Sequence, residues 1–225
     1  MAGRFITFEG GEGAGKSTQI ARLGARLEAR GLPVVVTREP GGSPRAERIR
    51  EAVLGGGAKP FGPLAEAILF SAARLDHLDA TIRPALARGA FVLCDRFLDS
   101  TRAYQGLDDR IEGNILRALE RVVVAGTRPD LTIVLDVPPK LGLERAAARR
   151  TEQGEGADRF EAEDLAFHER LREAFRTIAA SEPARCVLID AARPPDKVEA
   201  EIWHVVKDRF GSDLAAATAR RRAHG

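Results

Sequence analysis

Five short runs of β-forming residues, separated by longer stretches with helical spacing, frame the fold. The runs are RFITFEG (residues 4–10), LPVVVTRE (32–39), AFVLCD (90–95), LTIVLDV (131–137) and CVLIDA (186–191). Several are apolar at successive rather than alternate positions, which suits parallel strands covered on both faces. Between them, residues 17–30, 64–88, 112–125, 140–150 and 162–180 carry helical periodicity. Strands alternating with helices predict βαβ units with right-handed crossovers, hence an α/β three-layer sandwich around a five-stranded parallel sheet. A chain of 225 residues, 44% of them hydrophobic, can bury such a core. Residues 1–210 are read as one domain, and 211–225, with Arg220, Arg221 and Arg222, as a flexible basic tail.

Composition narrows the classes of partner. No apolar run reaches the roughly 18–20 residues of a membrane helix, and the N-terminus lacks a signal-peptide layout. A cytoplasmic protein without a membrane partner is expected. Cys94 and Cys186 stand far apart among apolar β-formers and read as small buried hydrophobes. A net charge of +2 is too balanced to indicate nucleic acid, and none is expected.

The first run leads into GGEGAGKST, residues 10–18, which fits G-x-x-x-x-G-K-[ST] between a strand and a helix. In this cradle Gly10, Gly11, Gly13, Ala14 and Gly15 let backbone N–H groups converge on phosphate oxygens, and the helix start at Thr18 adds partial positive charge. Lys16 suits the β- and γ-phosphates of ATP, and Ser17 suits Mg²⁺. Glu12 is the odd member, an acid where glycines and a cation are expected. Such loops serve switches, motors and kinases alike, so the reaction stays open at this point.

Other strand ends add chemistry, because carboxyl ends of parallel strands gather at one rim. Asp95 closes the third run, in reach of Mg²⁺, and Arg96 follows it, in reach of a phosphate. TREPGG (37–42) brings Arg38 and Glu39 to the same rim. Phe70 and Arg74 lie four apart and share a helix face. A ring to stack and a guanidinium for an edge suit a flat base, although a core phenylalanine fits the same pattern. In STRAYQG (100–106), Thr101, Tyr104 and Gln105 equally suit the capping and packing of a helix start. TEQGEGA (151–157), flanked by arginines, is the candidate lid, bounded at about residues 145–160.

FEGGEGAGKST, TREPGG, LFSAAR, DRFLDSTRAYQG, RPDLTIVLDV and DRFE, in this order and spacing, resemble the thymidylate kinases, which phosphorylate dTMP with ATP. The resemblance runs from about residue 5 to at least residue 175 and implies a P-loop nucleoside monophosphate kinase fold. ATP and Mg²⁺, dTMP as acceptor, a place in dTTP synthesis and a homodimer come with it. It implies that Phe70 stacks on thymine and Arg74 bonds the base edge, with Thr101 and Gln105 nearby and Ser100 in the same segment. Arg38 and Arg96 then bind the monophosphate, and Arg50 lines the acceptor pocket. Tyr104 crowds the sugar and disfavours a ribose 2′-OH, while Glu9 lies near the acceptor's sugar and phosphate. Members without an arginine in the phosphate loop, largely bacterial, supply cations from the lid. Glu12 places this sequence with them, which implies roles for Arg149 and Arg150, with Arg145 and Arg159 flanking. Lys16, Arg96 and a lid arginine then carry transition-state charge, Ser17 and Asp95 hold the metal, and Glu9 and Arg38 hold the acceptor. Two alternatives are a kinase for another nucleotide or deoxynucleoside and a P-loop switch that hydrolyses ATP without an acceptor.

Overall fold

The computed structural model describes residues 3–107, 110–153 and 160–224. In chain order the elements are β1 (Arg4–Glu9), α1 (Lys16–Glu28), β2 (Val34–Arg38), α2 (Pro44–Leu54), α3 (Gly62–His77), α4 (Arg83–Ala87) and β3 (Phe91–Asp95). There follow α5 (Leu98–Tyr104), α6 (Gly113–Val124), β4 (Leu131–Asp136), α7 (Pro139–Gln153), α8 (Leu165–Ser181), β5 (Cys186–Asp190) and α9 (Pro195–His224). All strands pair in parallel, in the order β2-β3-β1-β4-β5, the α/β sandwich expected.

Alternation along each strand sends side chains to two cores. Ile6 and Phe8 of β1, with Phe91 and Leu93 of β3, pack under α1 and α9 against Ile20, Leu23, Ile202, Val206 and Phe210. Phe5, Val92 and Cys94 face the other way, against Leu78, Ile82, Phe97 and Leu98. Both strands are therefore buried on both sides, which is why their sequences lack strict alternation. Each buried Phe or Leu contributes about 1.5–3 kcal/mol. The edge-to-face pair of Phe5 and Phe97, with centroids 4.9 Å apart, ties β1 to the turn after β3. The chain leaves β1 into α1 on one face and β3 into α5 on the other, so a crevice opens between neighbouring strand ends. Register aligns that rim: Asp95 pairs with Phe8 on one side and with Arg38 on the other.

Several local features differ from the periodicity reading. Residues 64–88 are interrupted by a π-turn at Leu78–Ile82 before α4, where Pro84 supplies no N–H to the helical ladder. Helices α2 and α9 have no counterpart among the helical stretches read from sequence, while α5 overlaps the helix start that residues 100–106 suit. Helix α2 begins at Ser43, whose Oγ accepts from Ala46 N, with Pro44 at its first position. Helix α9 extends into the stretch read above as a tail. α9 continues through a kink at Phe210 to His224, because Leu214 is buried and Arg4 Nε donates to Asp213 Oδ2 at 2.6 Å. Both cysteines are buried and free, as read. Among the described residues, no helix is long and apolar enough to cross a membrane.

Candidate active site

The turn from β1 to α1 bends where its sequence permits. Gly13 has φ 63°, and a Cβ there would lie 1.9 Å from the carbonyl oxygen of Gly142, so only glycine lets the loop seat against α7. Lys16 Nζ donates to the carbonyls of Gly10 and Gly11 at 3.1 and 3.0 Å, curled along the loop. Burial, with the Arg96 charge, pulls its ammonium below the ordinary value against the pull of Glu12, Asp95 and Glu9. Ser17 Oγ donates to Asp95 Oδ2 at 2.8 Å, so the expected metal pair is adjacent.

Glu12 has partners of its own. Its Oε1 accepts from the Tyr104 hydroxyl at 2.7 Å and from Arg96 Nη2. Arg96 also donates to Gly10 O at 3.2 Å and Ser100 Oγ at 3.3 Å, and its guanidinium lies 5.1 Å from the Tyr104 ring centroid. Its φ of 64° turns the side chain back over the loop. Burial pushes the Glu12 carboxyl up, but the Arg96 and Lys16 charges and the Tyr104 hydroxyl outweigh it and hold the group at about 2. An acid in the phosphate loop thus aims an arginine and the hydroxyl end of an aromatic. Sequence places Glu12 in the phosphate loop but does not reveal these bonds, because its partners lie 84 and 92 positions away.

Glu9 differs from expectation. It is fully buried and absent from the cleft wall, because its carboxylate accepts from Phe97 N (2.8 Å), Ser100 N (3.3 Å) and Ser100 Oγ (2.6 Å). Burial and then the Asp99 charge raise its pKa to about 7, against these hydrogen bonds and Arg96. Its bonds tie the end of β1 to the turn that carries Arg96 and Ser100.

The remaining candidates surround one cavity of about 470 Å³. Its wall includes residues 12–18 of the phosphate loop, Asp95 and Arg96, and also Arg38, Arg50, Phe70, Arg74, Ser100, Thr101, Tyr104 and Gln105. Arg74 is buried: Nε donates to Glu39 Oε2 at 2.7 Å, and Nη2 to Phe97 O and Thr101 Oγ1 at 3.0 Å each. Arg38 is exposed and donates to both Glu47 oxygens at 3.1 Å, while Arg50 Nη1 donates to Pro40 O at 2.8 Å. Tyr104 is further fixed by Phe160, edge to face at 5.0 Å.

Of the lid cations, Arg149 lines the cavity and Arg150 does not. Both pair with Glu161, a side chain the sequence reading left without a role. Arg145 is turned away, donating to Ala191 O at 2.9 Å and Ala192 O at 3.2 Å. Arg159 and the rest of residues 154–159 of the candidate lid lie outside the described residues.

Residues 8–202 match the sequence profile of the family described as Thymidylate kinase. The thymidylate kinase of Bradyrhizobium sp. strain BTAi1 is 57% identical over 217 residues, 96% of this chain and 95% of that protein. The thymidylate kinase of Nitrobacter hamburgensis is 59% identical over 211 residues, covering 93% and 90% of the two chains. The crystal structure of thymidylate kinase from Ehrlichia chaffeensis superposes with a TM-score of 0.71 at 33% identity, over 92% of this chain and 99% of that one. With sequence profile, full-length relatives and fold in agreement, this chain belongs to the thymidylate kinase family.

Proposed function

We propose that the cleft transfers the γ-phosphoryl group of ATP to dTMP, giving dTDP and ADP, as a step of dTTP synthesis. The observation that carries this reading is the single cavity in which the phosphate loop faces Phe70, Arg74, Thr101, Tyr104 and Gln105. Its volume of about 470 Å³ suits small-molecule ligands. Donor and acceptor phosphates then share one space, which a nucleotide switch does not require.

The chemistry is positioning and charge stabilisation. An oxygen of the dTMP phosphate attacks the γ-phosphorus in line as the bond to the β–γ bridging oxygen breaks, and the anionic acceptor needs no strong base. Lys16 and Arg96 face the developing charge, with Glu12 fixing the direction of Arg96. A lid arginine, Arg149 or Arg150, joins them by exchanging Glu161 for phosphate. Glu9 acts beneath the turn, holding Ser100 and the backbone after Arg96. Two hard oxygen donors at the loop edge, Ser17 Oγ and an Asp95 carboxylate oxygen, fit Mg²⁺, which shares its oxygen ligands with substrate phosphates. When bound, that ion supplies neutralising charge to the phosphate oxygens. On the acceptor side Phe70 stacks on thymine, Arg74 bonds its edge, Arg38 and Arg96 meet the phosphate, Arg50 lines the pocket, and Tyr104 excludes a 2′-OH.

The reading includes a cytoplasmic homodimer without nucleic-acid or membrane partners. The neighbouring helices α3 and α6 leave Ile68, Leu75, Ile115 and Val122 exposed, an apolar surface for a symmetric contact. The test is ADP formation from ATP and Mg²⁺ with dTMP, dUMP, dCMP, dGMP, UMP or no acceptor. Turnover is expected with dTMP, and dUMP should be slower by about 10–200-fold, because one methyl group is worth about 1–3 kcal/mol. ATP hydrolysis that ignores the acceptor would overturn the reading.

A further inference from the structure

Beneath the TREPGG turn a chain of hydrogen bonds ends on Arg74. Thr37 Oγ1 and His77 Nε2 lie 2.7 Å apart, His77 Nδ1 and Glu39 Oε1 3.0 Å, and Arg74 Nε and Glu39 Oε2 2.7 Å. His77 is fully buried, and Glu39 and Arg74 are 6% and 5% exposed. Glu39 and Arg74 reach the cavity wall, whereas Thr37 and His77 do not. Whatever His77 does for substrate it does through Glu39.

The chemistry fixes the direction of the link. A carboxylate only accepts, so Nδ1 is the ring nitrogen carrying a proton toward Glu39, and Nε2 is left to the Thr37 hydroxyl. The two Glu39 oxygens are thereby split between His77 and Arg74. Without His77 the carboxylate is free to rotate about its terminal torsion, a broad one, and Arg74 Nε moves with it. The guanidinium is otherwise held through Nη2 and by the Phe97 ring, 5.0 Å from its carbon, while Nη1 makes no hydrogen bond among the described residues. The turn is shaped around the imidazole. Gly42 has φ 82°, a Cβ on it would lie 2.3 Å from His77 Nε2 and 2.6 Å from Thr37 Oγ1, and Thr81 Oγ1 donates to its carbonyl at 2.8 Å.

We propose that His77 is a positioning residue that, through Glu39, sets the plane of the Arg74 guanidinium and so the affinity for the acceptor's pyrimidine. This rests on the reading of Arg74 as the donor to the base edge. The outer link, Thr37, orients the ring.

Isosteres separate the two ring nitrogens. His77→Asn keeps an amide N–H near the Nδ1 position, whereas His77→Gln puts its amide toward Thr37 and gives up the bond to Glu39. One hydrogen bond to a charged group, partly transmitted to Arg74, gives an expected rise of about tenfold in the dTMP KM of His77→Gln. Its kcat and ATP KM should stay within about twofold, and His77→Asn should stay near wild type. His77→Leu lies close to the imidazole in volume and carries the same expectation where Gln does not yield folded enzyme. In an Arg74→Ala background His77→Gln should add less than about twofold, since the two act in series. An unchanged dTMP KM in His77→Gln, an effect that multiplies with Arg74→Ala, or an equal rise in the ATP KM would each overturn the proposal. Equal loss of both substrates in Arg74→Ala would instead remove the base-edge reading, and this inference with it.

Discussion

Replacing Glu12 by glutamine tests whether the acid of the phosphate loop is structural wiring or an idle substitute for a cation. The Glu12 carboxyl is held at about 2 against an ordinary 4.5. At about 1.4 kcal/mol per tenfold change in proton affinity, the displacement corresponds to about 3 kcal/mol of folding free energy. The side chain is 13% exposed, so solvent screening takes little from that figure. Because the folded-state pKa is depressed, this contribution is present above pH 4.5 and is lost as pH falls through about 2. Glutamine keeps a neutral hydrogen bond to Tyr104 worth about 1 kcal/mol, leaving a net loss of about 2 kcal/mol. In a chain of this size that lowers Tm by about 4–8 °C. Thermal unfolding followed by circular dichroism at pH 7 should show this gap, and the gap should narrow as pH is lowered from 4.5. The released Arg96 should also raise the dTMP KM. Equal Tm values at pH 7, or a gap that does not change with acid, would refute the reasoning.

Glu9 gives the opposite sign. Its carboxyl is raised from 4.5 to about 7, so its stabilising contribution is full below pH 4.5 and is lost as pH rises through about 7. Wild type should lose stability relative to Glu9→Gln across that interval, by up to about 3 kcal/mol, as read by calorimetry at pH 4.5 and pH 8; parallel profiles would contradict the assignment. Val122 is 76% exposed on α6, so Val122→Asp leaves the monomer's packing alone. On the proposed dimer, sedimentation should show a larger share of monomer for the variant than for wild type, and an unchanged assembly would remove α6 from the interface.

Much of the site was legible before any tertiary structure. The phosphate loop, the Ser17–Asp95 pairing and the gathering of Arg38 and Arg96 at one rim follow from motif spacing and parallel-strand direction. Helices α2 and α9 were not legible, because Ser43–Pro44 sits against turn-forming glycines and because the side chains that α9 buries contact strands distant in sequence. The partners of the motif residues were equally hidden. Glu161 pairs with Arg149 and Arg150, and Glu9 is taken by the backbone of the turn after β3.

Sequence alone determined the strand order of chemistry: which residues end strands, which glycines open a cradle, and that Phe70 shares a helix face with Arg74. These are properties of local period and backbone freedom, and they survive without knowledge of distant contacts. Only the tertiary structure decided how each charge is held. Glu12 meets Arg96 and Tyr104, and Glu39 meets His77 and Arg74, because strand register and helix packing bring together groups between 35 and 92 positions apart. Buried charges must find a partner wherever the fold places one, and chain order does not encode that proximity locally.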